Sequence, residues 1–449
     1  YGDHRDLHSF PTRRSSDLRK HTEQERLAVT QAALAQAKEA LIAYAVSRMD
    51  RDYDGAPDVP GHLPCPSVSL PTGANDEGNE EPSCSAENVT VVGRLPWKTL
   101  GIAAPRDGSG ECLWYAVSGR FKNNPRGDIV NWDTEGHIRV LGTNGQVIAN
   151  KVAAVIFAPG PAVGQTRVPG TRAGYATVPA GNMPTCPGSY TPADYLEELR
   201  DTANNLLASN RAMSANTITG VPATSTVVQG GVDPATGTVK VNDRIATITT
   251  AEIFAAVKRR SDFDPRLRAL TGTVAACLAD YARNSVVNKG TTLVATDRRM
   301  PLPAALSQSH TVRVDTGTAL RSPLETATPT LSGRAAESAL SAGAAGFAGT
   351  SAWKYFMDAP PPAGTAVDTC TAFTSASTPS MKNWWRHWRD HLFYGLAADF
   401  SPPTSASGGP PRACAEPAAS GSGMPARWAS SVIASRKSSR SMAIRKPMA

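Results

Sequence analysis

Residues 22–47 read TEQERLAVTQAALAQAKEALIAYAVS, with no Gly or Pro to interrupt them, and this stretch constrains the fold more than any other. Thr22 followed by Glu25 has the spacing of a capping box, which predicts a helix start at that point. Leu27, Leu34 and Leu41 recur every seven residues, with Ala37, Ile42 and Ala45 widening the stripe. Such a rod, roughly 39 Å long at about 1.5 Å per residue, has too narrow an apolar stripe to be buried all round. Something must be laid over one face, and Leu27, Leu34, Leu41 and Ile42 are the residues expected to meet it or to meet neighbouring helices.

Residues 1–18 read YGDHRDLHSFPTRRSSDL, the in-frame translation of a common short-read sequencing-library adapter. They are expected to be an artefact and are set aside from fold reasoning, with the natural N-terminus expected upstream of residue 19. At the other end, residues 403–449 are rich in Pro, Ser, Ala, Gly and Arg without apolar periodicity. A disordered tail and a frameshifted one both give such text. Most of the formal net charge of +7 sits there, because Arg412, Arg427, Arg436, Lys437, Arg440, Arg445 and Lys446 stand against Glu416 alone. The folded body is therefore close to neutral, which argues against nucleic acid as a partner.

The body, roughly 380 residues, is long enough for two domains with cores of their own. Pro- and Gly-punctuated loops with short strands at 113–118 and 151–158 predict an α+β fold, with an antiparallel sheet against the helix. The longest apolar run, 152–158, is too short to span a bilayer. Seven cysteines stand at no zinc-like spacing. Their scatter through loops fits an oxidising compartment, with Cys65 and Cys84 the bridge expected to close a loop.

Asp50, Asp52, Asp54 and Asp58, with Gly55 at the turn, match the first half of an EF-hand-type loop. Gly61 stands where the bidentate acid belongs, so calcium and a solvated acidic turn are both open. His387 and His391 at i, i+4 form a possible metal pair, but the Trp384, Trp385 and Trp388 around them favour an amphipathic packing face. Residues 160–166 fall one residue short of a phosphate loop and carry Gln165 where its Lys would be. No nucleophile elbow is present, and each Cys lacks a recognisable His partner. Asp243 and Arg244 read as a turn into a strand, bridging each other locally. Nothing here points to an enzyme.

The ordered motifs AKEALIAYAV, LPCP, GRLPWKTLG, DGSGECLWYAVS, VAAVIFAPGPAVGQTR, ADYLEE and VNDRIATITTAEIFAAVKRR resemble the large pilin-like proteins related to type IV pilins and type II secretion pseudopilins. The resemblance covers roughly residues 27–265. It implies a prepilin leader and an apolar N-terminal helix, neither of which stands in this sequence. It further implies a non-enzymatic subunit with no cofactor beyond the calcium raised above, an inner-membrane anchor, and a periplasmic or extracellular filament location. Its partners would be other pilin-like subunits, inner-membrane assembly machinery and the membrane itself. Leu278-Ala279-Asp280-Tyr281-Ala282 echoes residues 41–45, and residues 300–303 echo 62–66, so two tandem units are expected: residues 50–265 behind the helix of 19–49, and a degenerate second at 266–402. The alternative reading is a secreted calcium- or carbohydrate-binding adhesin module, using the Asp50–Asp58 loop and the Trp cluster.

Overall fold

In the computed structural model the described residues are 11–47, 60–68, 77–86, 89–124, 130–163, 185–186, 188–213, 224–232 and 239–283, with short pieces at 217–222 and between 332 and 435. The chain divides into two compact units, Tyr1–Arg48 with Pro60–Arg260, and Met49–Val59 with Ser261–Ala449. The architecture is α+β, with one long N-terminal helix and several antiparallel sheets.

Helix α1 runs over Pro11–Ser47, so the expected start at Thr22 is wrong. Nothing in 11–21 breaks a helix, and Pro11 fits the first helical position. Thr22 makes no cap; its hydroxyl donates back to the Leu18 carbonyl at 3.0 Å, an ordinary bond for Thr inside a helix.

The first unit supplies β1 (Val91–Arg94), β2 (Trp114–Val117), β3 (Ile138–Leu141), β4 (Val147–Val152), β5 (Ala154–Ala158), β6 (Glu198–Arg200) and β7 (Leu206–Ser209). It continues with β8 (Thr217–Ile218), β9 (Val221–Pro222), β10 (Ser225–Val228), β11 (Gly231–Val232), β12 (Val239–Val241), β13 (Arg244–Ile248) and helix α2 (Thr250–Val257). Strands β1-β2-β5-β13 form an entirely antiparallel sheet, with Trp114 opposite Phe157 and Ile245 opposite Phe157. A second sheet, β10-β3-β4, pairs β3 with β4 antiparallel and with β10 parallel.

Strand β5, AVIFA, is buried throughout, as a central strand covered on both faces must be. One face carries Val155 and Phe157, which join Trp114, Ile138, Val140 and Val227 in the core between the two sheets. Side chains alternate across a strand, so Ile156 belongs to the opposite face, where α1 packs on β5 and β13.

The single strand expected at 151–158 is two strands. Lys151 takes a left-handed φ of 58°, and Ala153 between β4 and β5 accepts one bond and donates another: Ser118 N donates to its carbonyl at 2.9 Å, and its own N donates to Ile248 O at 2.9 Å. The chain thus changes sheets within one residue.

The second unit opens on α3 (Phe263–Arg283), which buries Phe263, Leu270, Val274, Cys277 and Leu278 at helical spacing. It adds β14 (Ser332–Arg334), β15 (Ser338–Leu340), β16 (Trp353–Tyr355), β17 (Leu392–Gly395) and β18 (Ala434–Ser435), ordered β14-β17-β18 and β15-β16. Phe263, Trp384 and Trp388 pack as an aromatic core, with Phe263 edge-on to Trp388 at 5.3 Å. Residues 300–303, half of the proposed internal echo, lie outside the described residues.

Candidate assembly surface

The globular part of the first unit holds α1 from Thr30 to its C-terminus. Thr30, Ala33, Leu34, Ala37, Leu41 and Ala45 are buried, an i, i+3/i+4 stripe. Polar ties reinforce it at each level. Gly108 N donates to Thr30 Oγ1 at 2.9 Å. Lys38 Nζ meets Glu252 Oε1 at 2.6 Å, and Glu252 itself belongs to the capping box that starts α2 on Thr249. Tyr44 OH bonds Glu80 at 3.2 Å and accepts from Asn123 Nδ2 at 2.7 Å. At the C-terminus, where helix carbonyls lack partners, Gly61 N donates to Ala45 O at 2.8 Å and the Arg260 guanidinium donates to Val46 O.

Every residue from 17 to 29 is exposed. Leu27 is 39% exposed, Val29 50% and Leu18 69%. The stripe therefore divides: Leu34 and Leu41 are core, Ile42 is half-buried, and Leu27 is only partly covered by its own unit, less than the sevenfold pattern suggested. Leu18 and Val29, eleven residues apart, fall on nearly the same side of the helix, with Leu27 roughly opposite. His21 and Glu25 pair at 3.2 Å beside them. This part of α1 is a mixed apolar and charged rod, roughly 20 Å long at about 1.5 Å per residue. No helix among the described residues is long and apolar enough to cross a membrane. Its apolar side chains lie on more than one face.

The division has a measurable consequence. Leu41→Ala should cost about 3 kcal/mol through the cavity it leaves. Leu27→Ala should cost under about 0.5 kcal/mol, as an exposed position does. Urea unfolding of the two variants checks this; equal costs would mean that the N-terminal half is also seated.

Of the remaining sequence-derived sites, Cys65 and Cys84 are bridged, with Cα atoms 5.8 Å apart. Beside the bridge, buried Lys122 donates from Nζ to Cys84 O and Ala86 O at 2.7 Å. The calcium candidates Asp50, Asp52, Asp54 and Asp58 lie outside the described residues. Among the described residues no group of three or more His, Cys, Asp or Glu is placed to hold a metal. Trp384 and Trp388 are buried, as is His391 against Trp388, so these rings present a packing face rather than an open platform.

Two features escaped the sequence. Cys112 bridges Cys186 across 74 residues, and the backbone N of Cys186 and of Thr185 both donate to the buried Glu77 carboxylate. Asp243 does not bridge Arg244. It is fully buried and faces Glu197, in a reciprocal arrangement: Glu197 N donates to Asp243 Oδ2 at 2.9 Å, and Asp243 N donates to Glu197 Oε2 at 3.1 Å. Asn210 Nδ2 adds a bond to Asp243 Oδ2 at 2.9 Å. Burial first, and the Glu197 charge second, push the Asp243 carboxyl well above the usual range. These bonds, with those between Asn210 and Val228, lock β6, β7, β10 and β13 together.

Comparison of the chain with protein-family models, with curated proteins and with solved structures finds no match.

Proposed function

We propose that this chain is a non-enzymatic pilin-like subunit, a pseudopilin or minor pilin, that acts by helix-mediated packing in a type IV pilus or type II secretion-like assembly. The observation that carries the reading is the division of α1, seated on an antiparallel sheet from Thr30 onward and exposed through residues 19–29. A monomer gains nothing from an exposed extension bearing Leu27 and Val29. Neighbouring helices packed around it would bury that surface and supply the stability that a long isolated helix lacks. The order of the motifs, from AKEALIAYAV through VNDRIATITTAEIFAAVKRR, supports the same assignment. So do the two disulfides, which suit an exported protein. On this reading the globular part lies in the periplasm or on an extracellular filament, and its partners are like subunits and the inner-membrane machinery that assembles them. The second unit is a degenerate repeat of the first, and a subunit this large fits a minor or tip position, where stacked copies do not clash.

Sequencing the source DNA upstream of codon 19 tests it. The expected result is a prepilin leader with an acidic fifth residue and about 20 apolar residues running up to Arg19. A cleavable signal peptide with no such helix, or an unrelated upstream domain, would overturn the assignment.

A further inference from the structure

The motif DGSGEC at 107–112 is built around one side chain. Asp107 is 3% exposed, and its carboxylate accepts from three backbone donors: Ser109 N at 2.8 Å and Glu111 N at 3.0 Å on Oδ1, and Gly160 N at 2.7 Å on Oδ2. Asp107 N donates to Glu111 O at 2.8 Å and Gly110 N to Asp107 O at 2.9 Å, closing a tight turn in which Gly110 takes a left-handed φ of 86°. The turn is anchored from behind. Cys112 is bridged to Cys186, the Arg106 guanidinium donates to Gly110 O and Thr185 O, and the Thr185 and Cys186 amides rest on Glu77.

This braced loop meets α1 at Thr30, where the buried stripe of the helix begins. Gly108 N donates to Thr30 Oγ1 at 2.9 Å, and Thr30 Oγ1 in turn donates to Arg26 O at 2.9 Å. Gly108 lies so close to the helix that a Cβ there would overlap the Arg26 backbone. The helix sequence marks no boundary here, since residues 22–47 contain neither Gly nor Pro. Between the exposed stretch and Leu34 only Thr30 and Ala33 are buried, and two such small side chains hold a turn weakly.

We infer that loop 107–112 is a clamp that fixes where α1 leaves the globular part. It adds a hydrogen bond and a close backbone contact where side-chain packing is thin, so fraying from the free end stops at Thr30 rather than at Leu34. Its bearing on assembly, the length of the free arm, rests on the function proposed above; the clamp itself does not.

Hydrogen exchange on the full chain, read by mass spectrometry, tests it. In wild type, exchange should slow sharply at Thr30. Asp107→Asn sets an amide donor against one of the loop's own backbone donors, and residues 30–34 should then exchange roughly tenfold faster while residues 41–47 stay as in wild type. Thr30→Val keeps the loop and removes only the hydroxyl. It should speed the same residues by roughly threefold to tenfold, and this arm stands even where Asp107→Asn does not fold. An unmoved boundary in Thr30→Val, or faster exchange spread evenly over residues 30–47, would overturn the clamp. Neither outcome depends on what the DNA upstream of codon 19 encodes, so the clamp and the pilin assignment can fail separately.

Discussion

Gly136→Ala should destabilise the first unit by about 3 kcal/mol or more, the cost of overpacking where nothing can move. A Cβ at Gly136 would sit 1.9 Å from Val152 O and 2.6 Å from Ala153 N. These are backbone atoms at the point where the chain leaves one sheet for the other. Val152 is paired with Ile138 in the second sheet, while Ala153 is bonded to Ser118 and Ile248 of the first layer. Moving them by the ångström or more that a methyl group needs would break both ladders at once. For a domain of this size the loss corresponds to a fall in Tm of roughly 6–12 °C. Gly272→Ala is the control. It is exposed in α3, with no atom within 4 Å of the position a Cβ would take, so the same substitution should stabilise by about 0.5–1 kcal/mol. Calorimetry on the two variants decides the matter; Gly136→Ala within about 0.5 kcal/mol of wild type would show that the sheet crossing is not closely packed.

This crossing also marks where sequence stops being informative. The presence of α1 was legible because no residue from 22 to 47 opposes a helix, and β2 was legible from the aromatic and β-branched run at 114–117. The start of α1 was not, because a capping box is a local signal and loses to continued helix when the preceding residues permit it. The break between β4 and β5 rests on a left-handed Lys151 and a single Ala153. Neither residue type announces such a role, and the cause is the geometry of two sheets that pair with strands far away in the chain. The same holds for cysteines: a separation of 19 made Cys65–Cys84 guessable, whereas 74 residues hide Cys112–Cys186. Leu27 shows the converse limit, since periodicity marks a face but not how far the partner extends along it. Asp243 was read against its neighbour Arg244 because adjacency is all that a sequence offers; its actual partner, Glu197, comes 46 residues earlier.

That carboxyl pair gives the second large effect, a loss of stability toward alkaline pH. Asp243 binds its proton more tightly folded than unfolded, where its pKa is about 3.9. Above that value the folded state holds more protons than the unfolded one, so stability falls as pH rises. The fall continues until Asp243 ionises in the fold, then levels. The slope attributable to the pair is at most about 1.4 kcal/mol per pH unit. His137 acts in the opposite sense. Burial and Arg120 lower its pKa from 6.5 to about 4, so its contribution is lost as pH falls through that window. The two effects partly cancel below about pH 6.5, and above it the pair acts alone. Glu197→Gln separates them at every pH. Its amide can accept from Asn242 N and Asp243 N as Glu197 does, and can donate to an ionised Asp243. The variant should therefore gain on wild type steadily with pH, by about 2 kcal/mol or more once the wild-type pair ionises. Denaturant unfolding of both proteins from pH 5 to 9 measures the difference, from which His137 drops out because both proteins carry it. Parallel curves would mean that the pair ionises in the fold as readily as in the unfolded chain, and that Asn210 Nδ2 and the three backbone donors around the pair suffice to hold two buried negative charges.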